Sequence, residues 1–148
     1  GGRVTFWVFA LMIAAVGGVL YFLGIKDQPG AFWGFFAMFM VLFFATGVGN
    51  ASTFQMIPAI MRLEVARLEP GLDAAERVKQ SDKESAAIIG FTSAIAAYGA
   101  FFIPKSYGTS IAATGGPEAA LWIFAVFYLI CVVITWWYYG RKNAEMPC

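Results

Sequence analysis

Histidine is absent from the 148 residues. Imidazole is therefore excluded both as a metal ligand and as a general base near neutral pH. Cysteine is nearly absent as well. Cys131 sits inside an apolar run and Cys148 is the last residue, a pair that suits neither a disulfide framework nor a metal site. Charge is scarce: 13% of residues are Asp, Glu, Lys or Arg, where a soluble domain carries about 25%. The net charge of +1 gives no reason to expect a nucleic-acid partner. Four stretches, 4–25, 28–61, 85–104 and 119–140, hold no charge at all. They leave no place for a proton-relay carboxylate or a buried ion pair. The buried acid that a four-helix multidrug exporter would use for cationic substrates is missing too.

What is there is apolar. Hydrophobic residues make up 60% of the chain, aromatics 18%, and the mean hydropathy is +0.71. A globule of this size cannot hide that much apolar surface, so the composition predicts an all-α membrane protein. A membrane helix needs roughly 20 apolar residues. The runs therefore predict four transmembrane helices over about 4–25, 32–60, 85–104 and 119–140, in one partial transmembrane domain covering 1–148. The second run exceeds one upright span, which predicts a loop at 28–31 and a helix that tilts or protrudes.

The remaining polar segments are read as connections. The 62–84 loop holds most of the charge, with a turn at Pro70-Gly71. Asp73 and Glu76 have capping-box spacing for a short helix through Lys79, and Ser81 with Glu84 has it for the next span. The segment 106–118 contains Gly108, Gly115, Gly116 and Pro117 and reads as the last connection. Arg3, Arg62, Arg67, Arg77, Lys79, Lys83, Arg141 and Lys142 fall on one side; Lys26 and Lys105 fall on the other. The positive-inside rule then places both ends and the 62–84 loop in the cytoplasm. The chain opens on Gly1-Gly2-Arg3 directly before a span, without Met, and is expected to be a piece of a larger protein.

The first and fourth runs are bulky and uniform and are expected to face lipid, with Gly17-Gly18 as a candidate packing notch. The other two are not. GVGNASTFQMIP at 47–58 is thinned by Gly47 and Gly49 and made polar by Asn50, Ser52 and Thr53, with Phe54 beside them. Polar residues at that depth face a protein interior or a water-filled cavity. Interhelical hydrogen bonding and substrate contact account for them equally well. GFTSAIAAYGAFFIPKSYG at 90–108 offers one small-residue face through Gly90, Ala94 and Ala97 and another through Ser93, Ala96 and Gly99, and leaves through Phe102 and Pro104. Small faces let backbones approach closely.

These two segments, with TGGPEAALWIFAVFYLICVVITWWYYGR at 114–141, resemble the nitrate/nitrite porter family of the major facilitator superfamily. The resemblance covers essentially the whole chain, as the last four of twelve helices. It implies a partial major-facilitator C-terminal half in an inner membrane, partnered by the missing N-terminal helices. It implies nitrate and nitrite as substrates moved by alternating access, by antiport or proton-coupled uptake. It also implies no cofactor, no metal and no covalent chemistry. Residues 93–104 look like the second of the family's two nitrate signature segments, and 47–58 like the cavity-lining tenth helix. Asn50, Ser52, Thr53 and Phe54 become substrate-cavity candidates. Gly47, Gly49, Gly90, Ser93, Ala97, Gly99, Phe102 and Pro104 become signature and close-packing candidates. The two arginines that hold nitrate in the family have no counterpart here, and Asn50 does not match the family's assisting asparagine. Ala96–Ala100 has less glycine than the signature, with Tyr98 in its middle. The alternatives are a facilitator for another small anion and a free-standing four-helix membrane scaffold subunit.

Overall fold

The computed structural model describes residues 1–141, 143 and 144; Lys142 and Cys148 lie outside the described residues. Four helices follow one another without a strand among the described residues: α1 (Gly2–Gly24), α2 (Ala31–Leu68), α3 (Ala74–Thr114) and α4 (Glu118–Thr135). A π-helical turn, Trp136–Gly140, extends α4. All four are long and apolar enough to cross a membrane. The chain is an all-α, multi-pass membrane segment.

The two middle helices run further than their apolar stretches. α2 has 38 residues and α3 has 41, about 57 and 62 Å at 1.5 Å per residue. A bilayer core is about 30 Å thick. The excess at one end forms a helical hairpin, so the 62–84 segment contains only a five-residue turn, 69–73. Ser81 lies inside α3 and starts nothing. At the other end, α3 continues through 106–114, the stretch whose Gly and Ser content suggested a loop. Its hydroxyls supply the reason: Ser106 Oγ donates to the Phe102 carbonyl at 2.7 Å and Thr114 Oγ1 to that of Ser110 at 2.8 Å. Polar side chains that bond back to their own helix need no water and do not end it. What ends α3 is Gly115 at φ 81°, just as Gly30 at φ 89° introduces α2. Both sit in the left-handed region, which costs glycine little. Pro58 and Pro104 lie within unbroken helices.

The hairpin is tied at its turn. Asp73 Oδ1 accepts from the Glu76 amide at 2.7 Å, capping α3. Arg77 Nη2 donates to the carbonyls of Pro70 and Leu72 at 3.3 and 3.2 Å. Gln80 and Glu84 bond one turn apart at 3.0 Å. The exposed Arg67–Glu64 pair at 3.6 Å adds little. Asp73→Ala should cost the hairpin about 1 kcal/mol. Faster hydrogen exchange at the Glu76 and Arg77 amides, with Asp73→Asn close to wild type, is the expected reading.

Packing is concentrated between α1 and its neighbours α2 and α4. The buried positions of α1, Gly2, Thr5, Val8, Met12, Ala15, Val16 and Val19, recur mostly at three and four residues and form one stripe. Val8, Met12 and Ala45 make one buried cluster; Val16, Val19 and Leu121 make the other. The α1–α2 seam is antiparallel and in steady register, and glycine thins it from both sides. A Cβ on Gly18 would meet Met38 Sδ at 2.5 Å, one on Gly49 would meet Val8 Cγ1 at 3.0 Å, and one on Gly34 would run into the Phe22 ring. Gly17, the other half of the expected notch, faces open space. The apolar span of α3 is the opposite case: none of its most apolar window is buried.

Candidate functional site

The polar residues of α2 leave the helix in different directions. Ser52 is buried in the α1–α2 seam, where its hydroxyl stands 2.9 Å from that of Thr5. The Gly1 carbonyl lies 3.1 Å from Ser52 Oγ and 3.2 Å from Thr5 Oγ1, and Met56 Sδ can accept from Thr5 at 3.3 Å. This is a closed polar knot in an apolar seam. A hydroxyl pair of this kind is worth about 0.6 kcal/mol between membrane helices. A double-mutant cycle of Thr5→Val and Ser52→Ala should return a coupling of that size in thermal unfolding of the detergent-solubilised protein. Additive losses would show that the two hydroxyls are merely neighbours.

Thr53 lies one position round from Ser52. Its hydroxyl donates to the Gly49 carbonyl at 2.9 Å. Together with Thr5, Met56, Cys131 and Thr135 it lines a groove of about 280 Å³ bounded by α1, α2 and α4. Asn50 is exposed, and Phe54 is half-buried. Asn50, Phe54 and Gly47 lie within about 60° of one another on the helical wheel, on the side turned away from the seam with α1. The structure thus brings Ser52 together with Thr5, not with Asn50. Thr5 is absent from the residues that the sequence singles out; the single aliphatic hydroxyl in the apolar 4–25 run is the signal that could have found it.

The close-packing candidates divide in the same way. Gly49 has a close neighbour on α1, as given above. A methyl added at Gly47 or Gly90 would meet nothing within 4 Å, and one at Gly99 would meet only Ile103 of its own helix, at 3.8 Å. Gly90, Ser93, Ala97, Phe102 and Pro104 are exposed and Gly99 is half-buried. Tyr98 is 67% exposed on the same helix. The two segments singled out by their composition therefore carry open faces: 47–58 on one side of α2, and 90–104 on α3 nearly all round. Among the described residues no group of three metal-ligating side chains is brought together.

Geometry alone defines a class: a multi-pass membrane bundle with a closed α1–α2 seam, a groove beside α4 and two open, small-residue faces. No family model matches the chain. The chain is 44% identical to the nitrate/nitrite transporter NarU of Salmonella typhimurium over 98% of its length and 32% of the transporter's. It is 42% identical to the nitrate/nitrite transporter NarU of Escherichia coli, over 97% of its length and 31% of that protein's. The probable nitrate/nitrite antiporter NarK2 of Thermus thermophilus is 36% identical over 76% of the chain and 22% of the antiporter. The chain belongs by homology to the nitrate/nitrite porters, and it spans about a third of the length of the curated relatives it matches.

Proposed function

We propose that this chain is the C-terminal third of an inner-membrane transporter that moves nitrate and nitrite by alternating access. Identity of 42–44% over 97–98% of the chain to proteins named nitrate/nitrite transporters carries that reading. The bundle supports it in two ways. Its four uncharged spans hold no group that could neutralise an anion, so the balancing positive charge comes from helices outside this chain. Its open faces on α2 and α3 suit helices that must lie against others. In the intact protein Asn50 and Phe54 border the substrate path, with Thr53 at its edge and Ser52 serving the α1–α2 seam. Neutral amides, hydroxyls and close backbone can donate to a small oxyanion without trapping it. Both ends and the 62–84 hairpin lie in the cytoplasm, where the excess of Lys and Arg belongs. The relatives are transporters, and no covalent step is part of this reading.

The test is uptake of labelled nitrate into proteoliposomes holding the intact transporter. Nitrite inside should accelerate uptake if exchange operates; a proton gradient should do so if uptake is proton-coupled. Nitrite should compete strongly for entry, while chlorate and formate compete weakly. Transport of formate with nitrate excluded would replace this substrate with another small anion. A chain that forms a membrane complex but moves no anion when joined to its upstream helices would favour a scaffold subunit.

A further inference from the structure

The ends of α3 and α4 that lie opposite the hairpin enclose a cleft of about 390 Å³, separate from the α1–α2–α4 groove. Five polar side chains line it, and three are committed to the fold. Ser106 Oγ donates to the Phe102 carbonyl, Ser110 Oγ donates to the Gly116 carbonyl at 2.7 Å and accepts from the Ala120 amide at 3.3 Å, and Thr114 bonds back to Ser110. The other two are Lys105 and Thr109, one turn apart on the same face of α3. Among the described residues the Thr109 hydroxyl has no hydrogen-bond partner and Lys105 no ion pair. The Lys105 ammonium rests 5.6 Å from the centre of the Phe101 ring. Glu118, the nearest acid along the chain, turns its carboxylate toward Gly116. It sits about 10 Å further along the axis than Lys105, judged from the Ser110–Ala120 register.

The cleft is two-sided chemically. Its polar end begins at the first charged residue after the uncharged 85–104 run, where a bilayer changes from acyl chains to headgroups. Its apolar end is walled by Phe102 and Ile123, both largely exposed. A hydrated inorganic anion gains nothing from that apolar wall; an acyl chain does. We propose that this cleft binds an anionic phospholipid. Lys105 and Thr109 donate to the non-bridging phosphate oxygens, and one acyl chain lies over Phe102 and Ile123. A second positive charge in the headgroup would oppose Lys105, so phosphatidylglycerol is preferred to phosphatidylethanolamine. The inference does not depend on which substrate the transporter carries.

Native mass spectrometry of the intact, delipidated transporter, given equal amounts of the two lipids, tests this. Phosphatidylglycerol should be retained about fivefold over phosphatidylethanolamine, the effect of one lysine at an anionic surface. Lys105→Gln should erase the preference and Lys105→Arg should keep it. Thr109→Val should reduce it although every charge remains, a result that a lysine merely reaching for the headgroups does not give. Lys26→Gln, at the other cation on this side, should leave it unchanged. Full preference in Lys105→Gln, or its loss in Lys26→Gln, overturns the site. An unaffected Thr109→Val overturns the two-donor geometry. Displacement of phosphatidylglycerol by nitrate would make the cleft a site for small anions instead.

Discussion

Gly34→Leu will lower the thermal stability of the bundle by about 2 kcal/mol, in the range expected when a packed seam is overfilled. A methyl at this position already lies within the Phe22 ring, and leucine adds three carbons beyond it. Phe22 is half-buried and packs where α1 turns into α2. Its ring must give way, and the packing it makes between the two helices at that level is lost. The partner is identified, so the effect can be reversed: Phe22→Ala combined with Gly34→Leu should recover most of the loss. Unfolding of the purified protein in detergent, followed by tryptophan fluorescence, gives both numbers. A Gly34→Leu protein as stable as wild type would mean that α1 and α2 are not in this register. Gly17→Leu is the internal control, since that glycine faces open space and should cost little.

Gly99→Leu should behave in the opposite manner. Within this chain the glycine meets only Ile103, at 3.8 Å, so the four helices have room for the larger side chain. Expression, membrane insertion and the melting of the bundle should change little. Nitrate uptake by the intact transporter should nevertheless fall by about 5- to 150-fold, the population shift produced by 1–3 kcal/mol against one of two packing states. Under the proposed function, the clash that causes it would lie against helices outside the chain. Normal nitrate flux in Gly99→Leu would sink the assignment of this face to close packing. The pair of substitutions separates two uses of glycine that look the same in sequence. One thins a seam already closed; the other, under the proposed function, keeps a face thin for a neighbouring helix.

The number and order of the helices are legible in the sequence because missing charge is an unambiguous signal. Four uncharged runs became four helices, each able to cross a membrane. The lengths of α2 and α3 are less legible, since charge marks where lipid ends, not where a helix ends. Arg62–Leu68 and Ala74–Glu84 are good helix-forming sequence in water, and the Asp73 cap expected from its spacing starts α3 about a dozen residues before the apolar run. At the far end, Ser and Thr have the composition of a loop, whereas Ser106 and Thr114 spend their hydroxyls on helix carbonyls. Of the candidate site, sequence points to the two segments with open faces but not to the directions their side chains take. Asn50 and Ser52 are two residues apart and read as one polar patch. A helix turns about 200° between them, so one lies in the open and the other in the seam with Thr5. Only a three-dimensional register shows that Thr5 is the partner.

The bareness of α3 has a mechanical side. Its only buried residues are Ser81 and Ser85 near one end and Ser110 near the other. Between Ser85 and Ser110 about 37 Å of helix runs with almost no lateral support from this chain. A rod held at both ends and free along its length responds to load by bowing at mid-span, not by swinging as a lever. Ala97 and Gly99, on opposite sides of the helix, occupy that mid-span, where displacement is greatest. Strain applied there by an adjoining helix would be carried to the hairpin and to the Ser110 joint, the two places where α3 is held.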